Sequence, residues 1–173
     1  MFMKIAGALL LILGGGGLGM YYGLACEFRK RELEEFKRAL MLMYSETQFG
    51  HTHLSGMCER ASEICAGAVA DILHGFALAL KDKSIEDIAA VWRSHVQRGA
   101  ADTHLSAEDF DKISALGEGL GSGDINRQLN SINQLITYID MKNTELERLG
   151  EKNLRLYKST GVLIGIFAVI LLI

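Results

Sequence analysis

The sequence predicts an all-α protein, a six-helix bundle between two membrane-spanning helices. Three observations lead to this prediction. The chain lacks proline, apolar residues recur at three- and four-residue steps along its middle, and both ends are apolar runs. Such steps place apolar side chains on one face of a helix, whereas strands show alternation. A chain of 173 residues suits one folded domain.

The first element is an uncharged segment from Ile5 to Cys26. As a helix it would span about 33 Å, enough for a hydrocarbon core of roughly 30 Å. The alternatives are a cleaved signal peptide and a lipoprotein leader whose cleavage box, "GLAC", ends at Cys26. No Ala-x-Ala site follows the segment, and the basic residues directly after it oppose export. We therefore expect residues 1–26 to be a retained N-terminal transmembrane anchor.

The middle of the chain, residues 27–158, is predicted to form the six-helix bundle. The predicted helices cover approximately residues 27–49, 52–65, 67–81, 84–99, 106–120 and 124 onward. Thr52 is a candidate N-cap for the second helix. Ser84 and Ser106 each precede an Asp by three residues, which is the spacing of a capping box. These signals give the fourth and fifth helices defined starts.

Four glycines alternate in "LGEGLGSGD", just before the last helix. A phosphate-binding loop needs GxxxxGK[ST], or GxGxxG after a strand, and neither pattern is present. We interpret the stretch as a joint between helices, in which Gly121 and Gly123 end one helix at positive φ and Asp124 caps the next. Gly117 and Gly119 lie in the preceding turns, where a missing Cβ lets a neighbouring helix approach closely.

The last helix is predicted to continue into a C-terminal membrane segment, residues 159–173. Its apolar part spans about 21 Å and is short for a full crossing. Basic residues lie beside both apolar segments on the side of the bundle, which places the bundle in the cytoplasm by the positive-inside rule. GxxxG spacing in the two segments predicts close helix packing in lipid. The glycines concerned are Gly15, Gly19, Gly23, Gly161 and Gly165.

Composition and motifs predict no catalytic residue, metal ligand or cofactor site. A net charge of −3 does not suit nucleic-acid binding, and three cysteines without framework spacing do not suggest disulfides. The enzymatic alternative is a membrane-tethered thiol or metal hydrolase built on His51, His53 and Cys58. The same three residues together with Cys65 form a loose candidate metal set. Zinc ligands usually pair as CxxC or HxxxH, which this set does not match. A sensor that binds a small ligand in the bundle is a further alternative.

Several stretches together resemble the stage III sporulation protein AB family of endospore-forming bacteria. These are "SAEDFDKISALGEGLGSGDINRQLNSI", "ETQFGHTHL" and the C-terminal "EKNLRLYKSTGVLIGIFAVILLI". His53 and Phe49 stand where the family usually has Pro and Tyr. The resemblance implies a non-enzymatic platform protein in the cell membrane of the mother cell, with its soluble domain facing the cytoplasm. It implies as partners a dedicated secretion-type ATPase and other components of the mother cell–forespore channel.

The partner surface is predicted on the first cytoplasmic helix. Arg29, Lys30 and Arg31 would meet the anionic leaflet. We expect Glu34, Glu35 and Arg38, which lie farther along the helix, to meet a cytosolic ATPase. The alternative is that these charges only solvate one helix face. Self-association into a homo-oligomer is left open.

Overall fold

A computed structural model of the chain describes the backbone of residues 2–49, 52–82 and 86–172 and the side chains of residues 25–49, 52–82 and 86–150. All regular structure in these ranges is helical, which confirms the all-α part of the predicted fold class. A short 3₁₀ turn, Ala100–Asp102, follows the fourth helix. The six α-helices are α1 Phe2–Phe49, α2 Leu54–Glu63, α3 Ala68–Ala79, α4 Ile88–Gly99, α5 Ala107–Leu120 and α6 Ile125–Leu172.

The chain divides into two compact units. One is Arg29–Asn143, the helical bundle, and the other comprises Met1–Phe28 with Thr144–Ile173. In the second unit the described backbone is helical, as the first part of α1 and the last part of α6. Among the residues searched, those that the structure describes, no helix is long and apolar enough to cross a membrane. The glycines predicted to pack in lipid, at positions 15, 19, 23, 161 and 165, lie outside the residues whose surroundings the structure describes.

The core of the bundle forms around Trp92, which is 1% exposed. Its indole Nε1 donates to the backbone oxygen of Ile113 at 2.7 Å, so the one polar atom of the ring is satisfied in the interior. Phe76 packs against the indole edge-to-face, with 4.9 Å between ring centroids. Helices α3, α4 and α5 therefore meet at one aromatic centre. Other fully buried core side chains are Leu33, Phe36, Met43, Cys58, Val96, Ile132 and Ile139.

Two helix starts differ from the prediction. Thr52 is not an N-cap: α2 begins at Leu54, and Thr52 Oγ1 instead donates to Glu46 Oε2 at 2.8 Å and accepts from Arg60 at 2.9 Å. The carboxylate and guanidinium on either side hold the hydroxyl away from the α2 backbone. Helix α4 begins at Ile88, because Asp87 is itself the N-cap and accepts from Ala90 N at 2.9 Å. Ser84 lies outside the described residues.

The apolar helical repeat of the sequence predicts that Ile64, Ile125 and Leu149 point inward, but all three are exposed, at 47%, 60% and 44%. Ile64 follows the last residue of α2, and Ile125 is the first residue of α6, so both lie at helix ends. The same repeat, traced through Ile132, Ile136 and Ile139, leaves out Leu135, which is buried.

Candidate functional site

A buried carboxylate, Asp109, lies in the first turn of α5 and is 0% exposed. The local sequence places it there because Ser106 is the N-cap: Asp109 N donates to Ser106 Oγ at 3.3 Å, and Ser106 N donates to Asp109 Oδ2 at 2.8 Å. The reciprocal bonds complete the predicted capping box with Asp in place of the usual Glu. This box fixes the carboxylate in an inward orientation.

Arg29 and Tyr138 bring the two long helices to the same carboxylate. Arg29 Nε donates to Asp109 Oδ2 at 2.7 Å, and Arg29 Nη2 donates to Asp109 Oδ1 at 3.0 Å and to Ser106 Oγ at 2.9 Å. The Tyr138 hydroxyl donates to Asp109 Oδ1 at 2.7 Å. We call Arg29, Ser106, Asp109 and Tyr138 the Asp109 clasp. Because Arg29 is in α1 and Tyr138 is in α6, the clasp joins the first and last helices of the bundle through α5.

The electrostatics of the clasp hold its carboxylate charged. Burial works to raise the pKa of Asp109, but hydrogen bonds from Arg29, Ser106 and Tyr138 outweigh it and lower that pKa below its usual value. Burial and the hydrogen bond to Asp109 raise the pKa of the Tyr138 hydroxyl. The tyrosine therefore keeps its proton and remains a donor, and the bidentate arginine bond is charge-assisted.

The exposed side of α1 beside this clasp carries the charges predicted to contact a partner. Glu34 and Arg38 have side chains that are 53% and 57% exposed, and Arg31 and Met41 are also exposed. Their spacing of three and four residues puts all four on one helix face. We call Arg31, Glu34, Arg38 and Met41 the α1 face. Lys30 approaches Glu34 at 3.9 Å from the preceding turn.

Glu35, the third residue predicted to contact a partner, is not on this surface. It is only 6% exposed, so its predicted exposure is wrong. Its Oε2 accepts from Ala66 N at 3.3 Å in the loop between α2 and α3, and its Oε1 is paired with Arg38. The loop covers this carboxylate, which accepts a hydrogen bond from the backbone N–H of Ala66. Glu35 therefore has a structural role, and reversing its charge would disturb the fold.

The glycine joint between α5 and α6 is built differently at its two candidate positions. Gly123 has φ +68°, whereas Gly121 has φ −83°, so the expected positive φ at Gly121 is wrong. Asp124 Oδ1 accepts from Asn126 N at 2.9 Å at the start of α6. A Cβ at Gly117 would lie 2.7 Å from Trp92 Cδ1, and one at Gly119 would collide with Ser131. The earlier glycines thus allow close packing, and the joint reverses the chain.

The described residues of the alternative thiol or metal site do not form a metal-binding group. His51 lies outside the described residues, and among the described side chains no three His, Cys, Asp or Glu form a group able to hold a metal ion. His53 is exposed at the N-cap of α2. Burial raises the pKa of the Cys58 thiol to about 12 and that of Cys65 to about 11, which disfavours the nucleophilic thiolate.

The clasp itself was missed from the sequence. Its capping box was predicted, but the bonds that the Asp109 carboxylate accepts from other helices were not. Arg29 is 80 residues from Asp109 along the chain, and it was predicted to meet the anionic leaflet of the membrane. Tyr138 is 29 residues from Asp109. The available signal was that Asp109 directly precedes the apolar residue Phe110 near the start of a helix, where a buried charge would need a partner.

Comparisons with known proteins agree on one family. The sequence model of the family described as Stage III sporulation protein AB (spore_III_AB) matches residues 4–173. Stage III sporulation protein AB of Bacillus subtilis (strain 168) is 23% identical over 170 residues, covering 98% of this chain and 99% of that protein. A solved structure described as Stage III sporulation protein AB (SpoIIIAB) is similar with a TM-score of 0.66 at 20% identity. That likeness covers 72% of this chain and 97% of the solved chain, and it supports the fold.

Proposed function

Because the chain belongs to the family of stage III sporulation protein AB, we propose that it is a non-enzymatic membrane platform of the channel complex between mother cell and forespore. In this role it couples a cytoplasmic ATPase to the membrane assembly. The bundle faces the cytoplasm of the mother cell, and the uncharged segments at the two ends hold it to the cell membrane. The proposal has three parts, which are the anchoring, the partner surface and the absence of catalysis.

The observation that carries the proposal is the Asp109 clasp. Arg29 is the first residue of the bundle and Tyr138 lies close to its end, yet both bond one carboxylate. The chain therefore enters and leaves the bundle at neighbouring points. This arrangement suits a domain whose two ends lead to the same bilayer, because a domain held at both ends needs them side by side.

The sequence beside each end supports the anchoring. The segment Ile5 to Cys26 carries no charge, and Arg29, Lys30 and Arg31 follow it directly. Four basic residues precede the C-terminal segment in the same way: Arg148, Lys152, Arg155 and Lys158. Basic residues stay on the cytoplasmic side of the membrane, so both clusters favour a cytoplasmic bundle.

The α1 face supports a protein partner. Glu34 and Arg38 are more than half exposed and have opposite signs, and Met41 extends the face with an apolar side chain that is 55% exposed. Charges at the rim of an interface steer association and fix its register. An exposed methionine beside them supplies adaptable apolar contact. A face of this composition suits docking of an ATPase from the cytosol.

The thiol chemistry of the chain supports a non-enzymatic role. Cys58 is fully buried in α2, and burial raises its pKa to about 12, so it behaves as a small apolar core residue. The buried thiol favours the platform over a thiol hydrolase built on Cys58.

Reporter fusions test the anchoring. A reporter active only in the cytoplasm and one active only after export are each fused after Arg31 and near Lys142, so that each site is its own control. Because both basic clusters lie on the bundle side, the cytoplasmic reporter should be active at both sites and the exported reporter at neither. Activity of the exported reporter at either site would contradict the proposed topology.

A further inference from the structure

We propose that the outward face of α6 is the surface through which two copies of this chain pair side by side. The face consists of Asn126, Asn130, Asn133, Thr137 and Met141, which we call the amide stripe. All five residues are exposed, and Met141 is 68% exposed. Their steps of four, three, four and four residues keep them on one line along the helix.

The amide stripe lies directly opposite the buried face of α6. The buried face is formed by Ile132, Leu135 and Ile139, which are at most 4% exposed. At 1.5 Å per residue the stripe is about 22 Å long. The steps average about 3.75 residues, close to the 3.6 of a helix turn, so the stripe turns by only about 60° around α6 over its length.

The stripe carries no ionisable side chain, and this distinguishes it from the outward faces of the other described helices. Those faces carry exposed charges, for example Glu63 on α2, Asp71 on α3, Arg93 on α4 and Glu118 on α5. A helix face that only meets water is normally rich in charge. Arg127 and Asp140 lie at the two edges of this face, but the line between them runs for more than three turns without a charge. A partner surface would explain this uncharged line.

The chemistry of the stripe fits a second copy of the same stripe. A side-chain amide has both donors and an acceptor, so Asn can bond an identical Asn, whereas Arg against Arg or Glu against Glu repels. Within the described residues, the amides of Asn126, Asn130 and Asn133 have no hydrogen-bond partner. The α1 face, with Arg31, Glu34 and Arg38, lacks this self-complementarity and suits a different protein.

The orientation of the pair rests on the proposed function. Two copies anchored in the same bilayer have α6 pointing the same way, so the helices are parallel and each stripe residue meets its own counterpart. One helix stripe buries less than the roughly 800 Å² per partner of a standard stable interface. Pairing should therefore be weak for the free bundle and depend on confinement to the membrane, which raises the effective concentration. The test must use the full chain in membranes.

Disulfide cross-linking tests the pairing. Cys26 and Cys65 are only partly buried, so both are replaced by serine, and the buried Cys58 is kept. Single cysteines are then introduced as Asn126→Cys, Asn133→Cys and Met141→Cys, with Gln97→Cys on the exposed side of α4 as the matched control. Parallel pairing predicts oxidised dimers at all three stripe positions and at most about one tenth as much at position 97, because disulfides need Cα atoms within about 7 Å.

The pattern of cross-links decides the outcome. Dimers at both ends and the centre of the stripe support parallel pairing. Dimers only at position 133, or equal dimers at position 97, overturn it. Full-length protein found in the membrane fraction without stripe dimers contradicts the pairing and leaves the anchoring standing. Protein absent from the membrane fraction contradicts the anchoring, and the parallel pairing falls with it.

Charge substitutions give a second, independent readout. Asn130→Asp with Asn133→Asp changes the shape of the stripe very little but places like charges opposite each other. We expect this pair to lower cross-linking at Met141→Cys about tenfold, because like charges at an interface are strongly disfavoured. Copies carrying Asn130→Lys with Asn133→Lys should restore cross-linking when mixed with the aspartate copies. Absence of that restoration, or an equal loss with Gln97→Glu, contradicts like-to-like contact.

Discussion

At the scale of single residues, Asp109 is the point at which three helices converge. It is fully buried, yet it bonds Arg29, Ser106 and Tyr138, so nearly every lone pair of the carboxylate is used. A buried charge is tolerated only when it is paired in this way. Removing the charge leaves the Arg29 guanidinium without its partner, which costs more than the pair contributes.

We therefore expect Asp109→Asn to destabilise the bundle by roughly 3 kcal/mol. Asp111→Asn, on the exposed side of the same helix, is the control and should change stability little. The measurement is thermal unfolding of the fragment 27–158 followed by circular dichroism. Equal melting temperatures for the two variants would show that the clasp contributes no net stability.

Asp109 also predicts how stability depends on pH. Its pKa is lowered in the folded chain, so the folded state binds fewer protons than the unfolded state in the carboxyl range. This contribution is complete above the unfolded pKa of about 3.8 and is lost as the pH falls through the lower folded value. Between pH 7 and pH 3, Asp109→Asn should lose less stability than the wild type does. An identical pH profile for both proteins would contradict the assigned charge state.

At the scale of elements, the helices could be predicted and some of their ends could not. Apolar periodicity predicted α3, because buried Val69 and Ile72 follow the helical repeat, and the Ser106 capping box predicted the start of α5. The start of α2 was predicted wrongly, because Thr52 is held by Glu46 and Arg60, contacts that only the folded chain creates. Glu35 was wrongly predicted to be exposed, because the loop between α2 and α3 that covers it lies about 30 residues away in the sequence.

The positive φ of Gly123, in the joint between α5 and α6, predicts that different substitutions there lower the stability by different amounts. Gly123→Val should destabilise the bundle by about 1–2 kcal/mol, because a β-branched residue is strained at positive φ. Gly123→Asn should cost less, because Asn tolerates this region best among the non-glycine residues. Melting of the fragment 27–158 checks the order, and equal melting of the Val and Asn variants would contradict strain at φ +68°.

At the scale of the whole molecule, the candidate surfaces could be predicted only in part from the sequence. Glu34 and Arg38 were predicted because they follow a basic cluster on a helix, and both are exposed in the bundle. The clasp could not be predicted, because it depends on the path of α5 between α1 and α6. That path brings together residues 80 apart, a separation at which local periodicity carries no information.

Coupling of an ATPase to the membrane through the α1 face is tested by capture of the sporulation ATPase from sporulating cells. Full-length wild type is compared with Glu34→Lys/Arg38→Glu, which leaves the buried Glu35 intact, and with Arg93→Glu/Glu118→Lys as the control on α4 and α5. Circular dichroism confirms that each fold is intact. We expect the α1 variant to stay in the membrane, capture less ATPase and lower spore yield, whereas the control should behave as wild type. Normal capture and normal spore yield by a folded α1 variant would contradict coupling through this face.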